Sequence, residues 1–352
     1  MDYFIISKQD YDTKVLDFMV TVEGNSLTAY IDSEGIPTIG IGVNLRANLD
    51  KVLSWFGVNM GNLSAADALI VAQIRTAVGI TYSTKPSGAA ALNNAIAPLF
   101  QKLSQKNRTS FAFNSDADSR NFFTTVMAPI YESKLQVWLT QNNLQELTGD
   151  FYSEERVVLF SLQYNTTPGS TTLLGTNLAN ALKSGDRLRA WFEIRYVSNL
   201  KKNQGTANRR YYESNYFGLW DDTSPTQTEL DNFNDFLNQN DPNGKNISVL
   251  QLIRNYEADL DPHKRVEFHC QNIDEIINNP DVKAYFVAKY GRGQTIDGKV
   301  ILGTELNNTI TVTAPTQILT NAEIKNGYLG STTLGDLILG GKGRDIIDGG
   351  VG

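Results

Sequence analysis

Apolar positions near the start of the chain recur at mostly helical intervals. Val15, Leu16, Met19, Val20 and Val22 lead up to Glu23, and Gly24 is a natural stop for such a helix, which is expected to begin after Ser7 or Asp10. The period then changes. Residues 27–31 and 36–41 read as two short strands, with Asp32, Ser33, Glu34 and Gly35 as the turn between them. Helical spacing returns over 50–58, 64–78, 89–103 and 118–141, broken by Gly79, Pro86 and Gly88. Ser153 followed by Glu154 and Glu155 reads as an N-cap with acidic first-turn residues, opening a helix to Tyr164. Amphipathic stretches at 172–183 and 186–196 follow, then a mostly helical run over 222–290. From Gly291 onward Gly, Thr, Asn and β-branched residues take over. The expected fold class is α+β and mainly helical: a helical lobe with a small β-hairpin sheet, a helical segment, and a glycine-rich β tail.

Composition narrows the picture. With 352 residues, 41% of them apolar, the chain can fill two or three cores. No uninterrupted apolar run of about 18 residues occurs, so no membrane span is expected. The start, MDYFIISKQDYD, lacks the basic and apolar regions of an ordinary secretory signal. Cys270 is the single cysteine, which excludes an internal disulfide. Charge is uneven: basic and acidic residues balance through Asp221, so the whole net charge of −7 lies in the remainder. An acidic tail argues against nucleic-acid binding and is compatible with cations.

The sharpest chemistry sits at the helix tip and the hairpin. Glu23 on one and Asp32 on the other give two carboxylates of the kind needed to split a glycosidic bond, one to protonate the leaving oxygen and one to handle water or the sugar cation. Thr38 follows on the second strand. The spacing Glu23, Asp32, Thr38, set among Gly24, Tyr30, Gly35, Ile39, Gly40 and Gly42, resembles the phage-type lysozymes, glycoside hydrolase family 24. Further along, Gln163, Tyr164 and Asn165 resemble the family's core-helix ending, and Asn208, Arg209, Arg210 and Glu213 its closing helix. The resemblance spans residues 12–221 and is weakest over 45–153, where an insertion is expected at 79–110.

That resemblance implies a muramidase acting on peptidoglycan at the β-1,4 bond between N-acetylmuramic acid and N-acetylglucosamine, without a catalytic cofactor and as a monomer. It makes Glu23 the general acid, Asp32 the ionised partner and Thr38 the holder of the water, with inversion at the anomeric carbon. Tyr30, Asn165, Asn208 and Arg209 become candidates for substrate contact or cleft geometry, Arg209 by orienting the catalytic Glu. Two other classes stay open: a non-catalytic glycan-binding head, and a lytic transglycosylase, against which Asp32 argues.

The tail carries its own motif. Residues 340–348, GGKGRDIID, resemble the nonapeptide of RTX calcium-binding β-rolls, and a degenerate copy lies nine residues upstream. Gly341, Gly343, Asp345 and Asp336 are the residues expected to shape a calcium site there. By this resemblance the chain is expected to be the front part of a longer RTX-type protein that leaves the cell by type I secretion. Domains are expected at 1–221, 222–290 and 291–352. Two weaker patterns fail. The run Asp241, Pro242, Asn243, Gly244 lacks the acids of an EF-hand, and His263, His269 and Cys270 lack zinc-site spacing.

Overall fold

The computed structural model describes residues 1–165, 173–197, 204–239, 248–257, 267–268, 270–291, 295–296, 299–303, 309–311, 317–319, 333–334, 337–339 and 346–348. The α+β, mainly helical expectation holds. Contacts divide the chain into two compact units, Phe4–Leu173 and Leu174–Gly352, the latter with Met1–Tyr3. The boundary expected at 221 therefore falls inside the second unit.

In the first unit, helix α1 (Lys8–Glu23) starts where Ser7 accepts a hydrogen bond from the Asp10 amide, and it stops at Gly24, whose φ of +71° favours glycine. Strands β1 (Ser26–Ile31), β2 (Pro37–Gly40) and β3 (Val43–Asn44) form an antiparallel sheet in that order. The third strand, two residues long, carries no readable alternation. Helix α2 (Leu45–Trp55) begins five residues before the expected start, because the Asn44 side chain accepts from the Arg46 and Ala47 amides and so caps it.

Helices α3 (Ala65–Gly79) and α4 (Pro86–Lys102) follow, and α4 occupies most of the expected insertion. It is tied to the sheet: Asn93 Nδ2 donates to the Ala29 carbonyl on β1 at 2.7 Å. The stretch expected as one helix over 118–141 is instead α5 (Asp116–Phe122), a π-helical turn (Phe123–Met127) and α6 (Ala128–Gln141).

Two things hold this unit together. Phe56, Phe100, Phe111, Phe113 and Phe122 pack as a chain of tilted and edge-on rings 5.3–6.0 Å apart. Each buried Phe contributes roughly 1.5–3 kcal/mol. Helix α7 (Glu154–Tyr164) is buried almost throughout, and its Arg156 is paired with Glu132, which also accepts from Tyr11. An arginine this deep needs such a partner.

The second unit holds α8 (Thr176–Ser184), α9 (Arg187–Phe192) running into a second π-helical turn (Glu193–Val197), α10 (Gln204–Phe217), α11 (Gln227–Leu237) and α12 (Val249–Glu257). Thr226 and Glu229 form a reciprocal capping box on α11. Two further helices, Ile273–Ile277 and Pro280–Tyr290, precede the tail. Among the described residues of the tail, the strand pairings are parallel: Gln317–Leu319 and Val300–Leu302 flank Leu337–Leu339, Thr295–Ile296 pairs with Thr333–Leu334, and Thr309–Thr311 with Ile346–Asp348. No helix among the described residues is long and apolar enough to cross a membrane.

Candidate active site

Glu23 is the last residue of α1, and its side chain lies against the backbone of Gly42, just after β2. A Cβ added at Gly42 would stand 2.5 Å from Glu23 Oε2 and 2.6 Å from its Cδ. Gly42 also has φ +63°, so both the conformation and the space demand glycine. The helix tip and the hairpin thus meet at a carboxylate resting on a peptide.

Asp32 is built into the turn that joins β1 to β2. Its Oδ1 accepts from the Glu34 and Ile36 amides, both at 2.9 Å, while its own amide donates to Ile36 O at 3.0 Å. One carboxylate oxygen therefore holds the turn and fixes the group's orientation. Arg46 braces the same turn, its guanidinium donating to Gly35 O (3.4 Å), Val78 O (3.2 Å) and Ile80 O (3.0 Å).

Sheet register aligns the rest. Tyr30 is paired with Thr38 across β1 and β2, and Thr38 with Asn44 across β2 and β3, so these three side chains share a face. Thr38 is 4% exposed and its hydroxyl donates to Ile36 O at 3.1 Å. With its proton engaged, Thr38 Oγ1 is left as an acceptor. The Tyr30 hydroxyl is pushed up well beyond its ordinary pKa, first by burial and then by the charges of both Glu23 and Asp32. Tyr30 and Thr38 thus stand opposite each other on the hairpin whose turn holds Asp32, and the Glu23 carboxyl group rests against Gly42 just past its second strand.

Two residues that no motif marks stand beside them. The Tyr131 hydroxyl on α6 is pushed up, first by burial, with Asn48 on α2 opposing and the Glu23 charge adding to the rise. The Tyr131 ring lies 4.5 Å from that of Tyr164, whose hydroxyl donates to Ile41 O at 2.7 Å. Neither Asn48 nor Tyr131 sits at a turn, cap or repeat position that sequence reasoning would single out.

The other expected residues stand on later elements of the chain. Asn165 is exposed at the C-cap of α7. Asn208 and Arg209 belong to the second unit, buried on α10, where Arg209 Nε donates to Glu213 Oε1 at 3.0 Å and Arg210 pairs with the same carboxylate. Asp336, Gly341, Gly343, Asp345, His263, His269 and the 241–244 run lie outside the described residues. Among the described residues no group of three His, Cys, Asp or Glu side chains is placed to hold a metal ion.

No family model matches the chain, and no curated protein matches it. What the site can do is therefore read from its side chains. Two half-buried carboxylates on different elements, with a hydroxyl acceptor on the strand between, can deliver a proton and guide a water to one bond.

Proposed function

We propose that this protein is an inverting muramidase that hydrolyses the β-1,4 link between N-acetylmuramic acid and N-acetylglucosamine in peptidoglycan. What supports the reading is the Glu23 carboxyl group resting against Gly42, beside a hairpin whose turn is built on the Asp32 carboxylate and whose register pairs Tyr30 with Thr38. Glu23 protonates the glycosidic oxygen as the bond to the anomeric carbon breaks. Asp32, held by two backbone amides, takes a proton from the incoming water, whose oxygen bonds that carbon from the opposite face. The water's second hydrogen is directed to Thr38 Oγ1, the only role left to a hydroxyl already donating to Ile36 O. Tyr30 lines the gap between the two acids.

A carboxylate anchored in this way supports hydrolysis over the intramolecular ring closure of a transglycosylase, which needs a single acid. Product analysis tests this. Wild type should release reducing muramic ends from purified peptidoglycan, while Glu23→Gln binds the polymer and releases none. Anhydro-muramic ends would refute hydrolysis, and intact binding with equal inactivity of both proteins would make the chain a glycan-binding head.

For the tail we propose an RTX-type roll that takes up calcium, in a protein exported from its cell. Parallel pairing of three-residue strands in sequence-distant register supports it, because stacked turns of a roll pair in parallel. Calcium has no part in the hydrolysis.

A further inference from the structure

The second unit holds a cavity of about 670 Å³ between the start of α9, the segment after α10 and one side of α11. That volume falls in the usual range for a small-molecule site, roughly 300–1,000 Å³. None of the residues assigned to hydrolysis lines it. On the α11 side, Asn232, Asp235 and Gln239 recur at intervals of three and four, which sets them along one side of the helix and its end. All three are exposed. Among the described residues, the Asn232 and Gln239 side chains have no hydrogen-bond partner. Asp235 Oδ1 accepts from Asn234 Nδ2 at 3.2 Å, which leaves Oδ2 open.

The facing wall is braced. Arg187 Nε donates to Asp221 Oδ1 at 2.6 Å, and its Nη1 donates to Phe217 O at 2.7 Å. The Asp221 amide donates to Glu229 Oε1 at 2.7 Å. Beside them Trp220 is half-buried, its ring set edge-on to Phe233 with centroids 5.4 Å apart. A fixed, partly wet indole next to carboxylates and amides suits a sugar ring: the C–H face stacks on the aromatic, and the hydroxyls donate to the acids and accept from the amides. Charge narrows the choice further. Arg187 is paired with Asp221 and Arg189 with Glu193, both at 2.6 Å. No cation among the described residues is paired with Asp186, Glu229 or Asp235, so the lining is net negative and disfavours phosphate or carboxylate ligands.

We propose that this cavity is a saccharide-binding site in which Trp220 stacks on a neutral sugar ring while Asn232, Asp235 and Gln239 take its polar groups. Naming peptidoglycan as the polymer rests on the muramidase reading; the sugar chemistry of the cavity does not. A grip on the polymer that uses none of the reacting groups raises the enzyme's local concentration on an insoluble substrate and leaves the bond-breaking step unchanged.

Binding is measured on the full chain carrying Glu23→Gln, by co-sedimentation with insoluble peptidoglycan and by calorimetry with the N-acetylglucosamine trimer. Trp220→Ala, and separately Asn232→Ala with Gln239→Ala, should each weaken retention on peptidoglycan about tenfold. With Glu23 intact, the same changes should raise KM on the insoluble polymer, while turnover of short soluble fragments stays within about twofold of wild type. Unchanged retention in the Asn232 and Gln239 variant would overturn the proposal, as would equal losses of turnover on soluble and insoluble substrate. Competition by spermidine but not by the trimer would make the cavity a cation site and overturn it too. Absence of reducing ends from wild type would remove the muramidase reading alone; the trimer titration then judges the cavity, and the same affinity with and without the variants sinks it. Should Trp220→Ala fail to fold, the Asn232 and Gln239 variant decides, since both side chains are exposed.

Discussion

Gly42 offers the cleanest way to move the Glu23 carboxyl group without altering its chemistry. A methyl group at this position would meet Glu23 Oε2 at 2.5 Å, Cδ at 2.6 Å and Cγ at 2.9 Å, so the acid must swing away by roughly 1 Å to restore ordinary contact. The substitution also forces a non-glycine residue to φ +63°, at a cost of about 1–2 kcal/mol. These two effects can be separated with Gly149, which has φ +62° but nothing within 4 Å of an added Cβ. Gly149→Ala should therefore lose stability alone. Gly42→Ala should lose a similar amount of stability and, in addition, about a hundredfold in kcat, the usual consequence of misplacing a reacting group by 1 Å. Thermal unfolding and reducing-end release on the same preparations give both numbers. If Gly42→Ala is destabilised like Gly149→Ala yet turns over at the wild-type rate, the acid is not where hydrolysis occurs.

Three further outcomes follow from other parts of the molecule. Glu257 is pushed up to about 7, first by burial, with an amide hydrogen bond from Ile273 and the Arg195 charge opposing. Its folded pKa lies above the unfolded 4.5, so the folded state binds more protons in that window; the contribution is full below about pH 4.5 and is lost as pH rises through 7. The stability difference between wild type and Glu257→Gln should fall by roughly 2–3 kcal/mol from pH 4.5 to 7.5 in urea titrations, and a rising difference would contradict the burial argument. Asp118 accepts from Trp55 Nε1, an Arg108 guanidinium nitrogen and the Asn114 amide at 2.8–3.0 Å. Asp118→Ala strands the Arg108 charge at low exposure and should cost about 3 kcal/mol in chemical denaturation, with a loss under about 1 kcal/mol counting against it. Calcium should order the tail, as an increase in β signal by circular dichroism, in this chain or in one extended by more repeats; no response in either would remove the roll.

How far the sequence reaches differs between elements, for physical reasons. Signals carried by one or two neighbouring residues were legible: a helix start after Ser7 or Asp10, Gly24 as a stop, Ser153 before α7, and the turn at 32–35. Strand β3 was not, because two residues hold no period, and its Asn44 looked like loop while it served as the cap of α2. The π-helical turn after Phe122 was hidden for a different reason. One extra residue per turn leaves the apolar spacing of 118–141 close to helical, so the break shows only in the backbone. Tyr131 and Arg46 were out of reach altogether. Each meets a residue at least eleven positions away, and nothing in its own neighbourhood records that partner.

Asp32 shows why the central stretch was readable at all. The same side chain that makes Asp-Ser-Glu-Gly a turn signal is the one to which the proposed hydrolysis assigns the water's proton, and the two uses do not compete. Oδ1 is taken by the amides of Glu34 and Ile36, which is the local bond that makes the turn close. Closure then fixes Oδ2 in space at no further entropic cost, since the group it belongs to has already been ordered. Replacing Asp32 with Asn would keep an oxygen for the turn and remove only the proton acceptor. Replacing it with Ala would lose both, and with them the bracing of Gly35 by Arg46. Activity lost in both variants, with the hairpin's stability lost only in the second, is the pattern that a shared structural and chemical role requires.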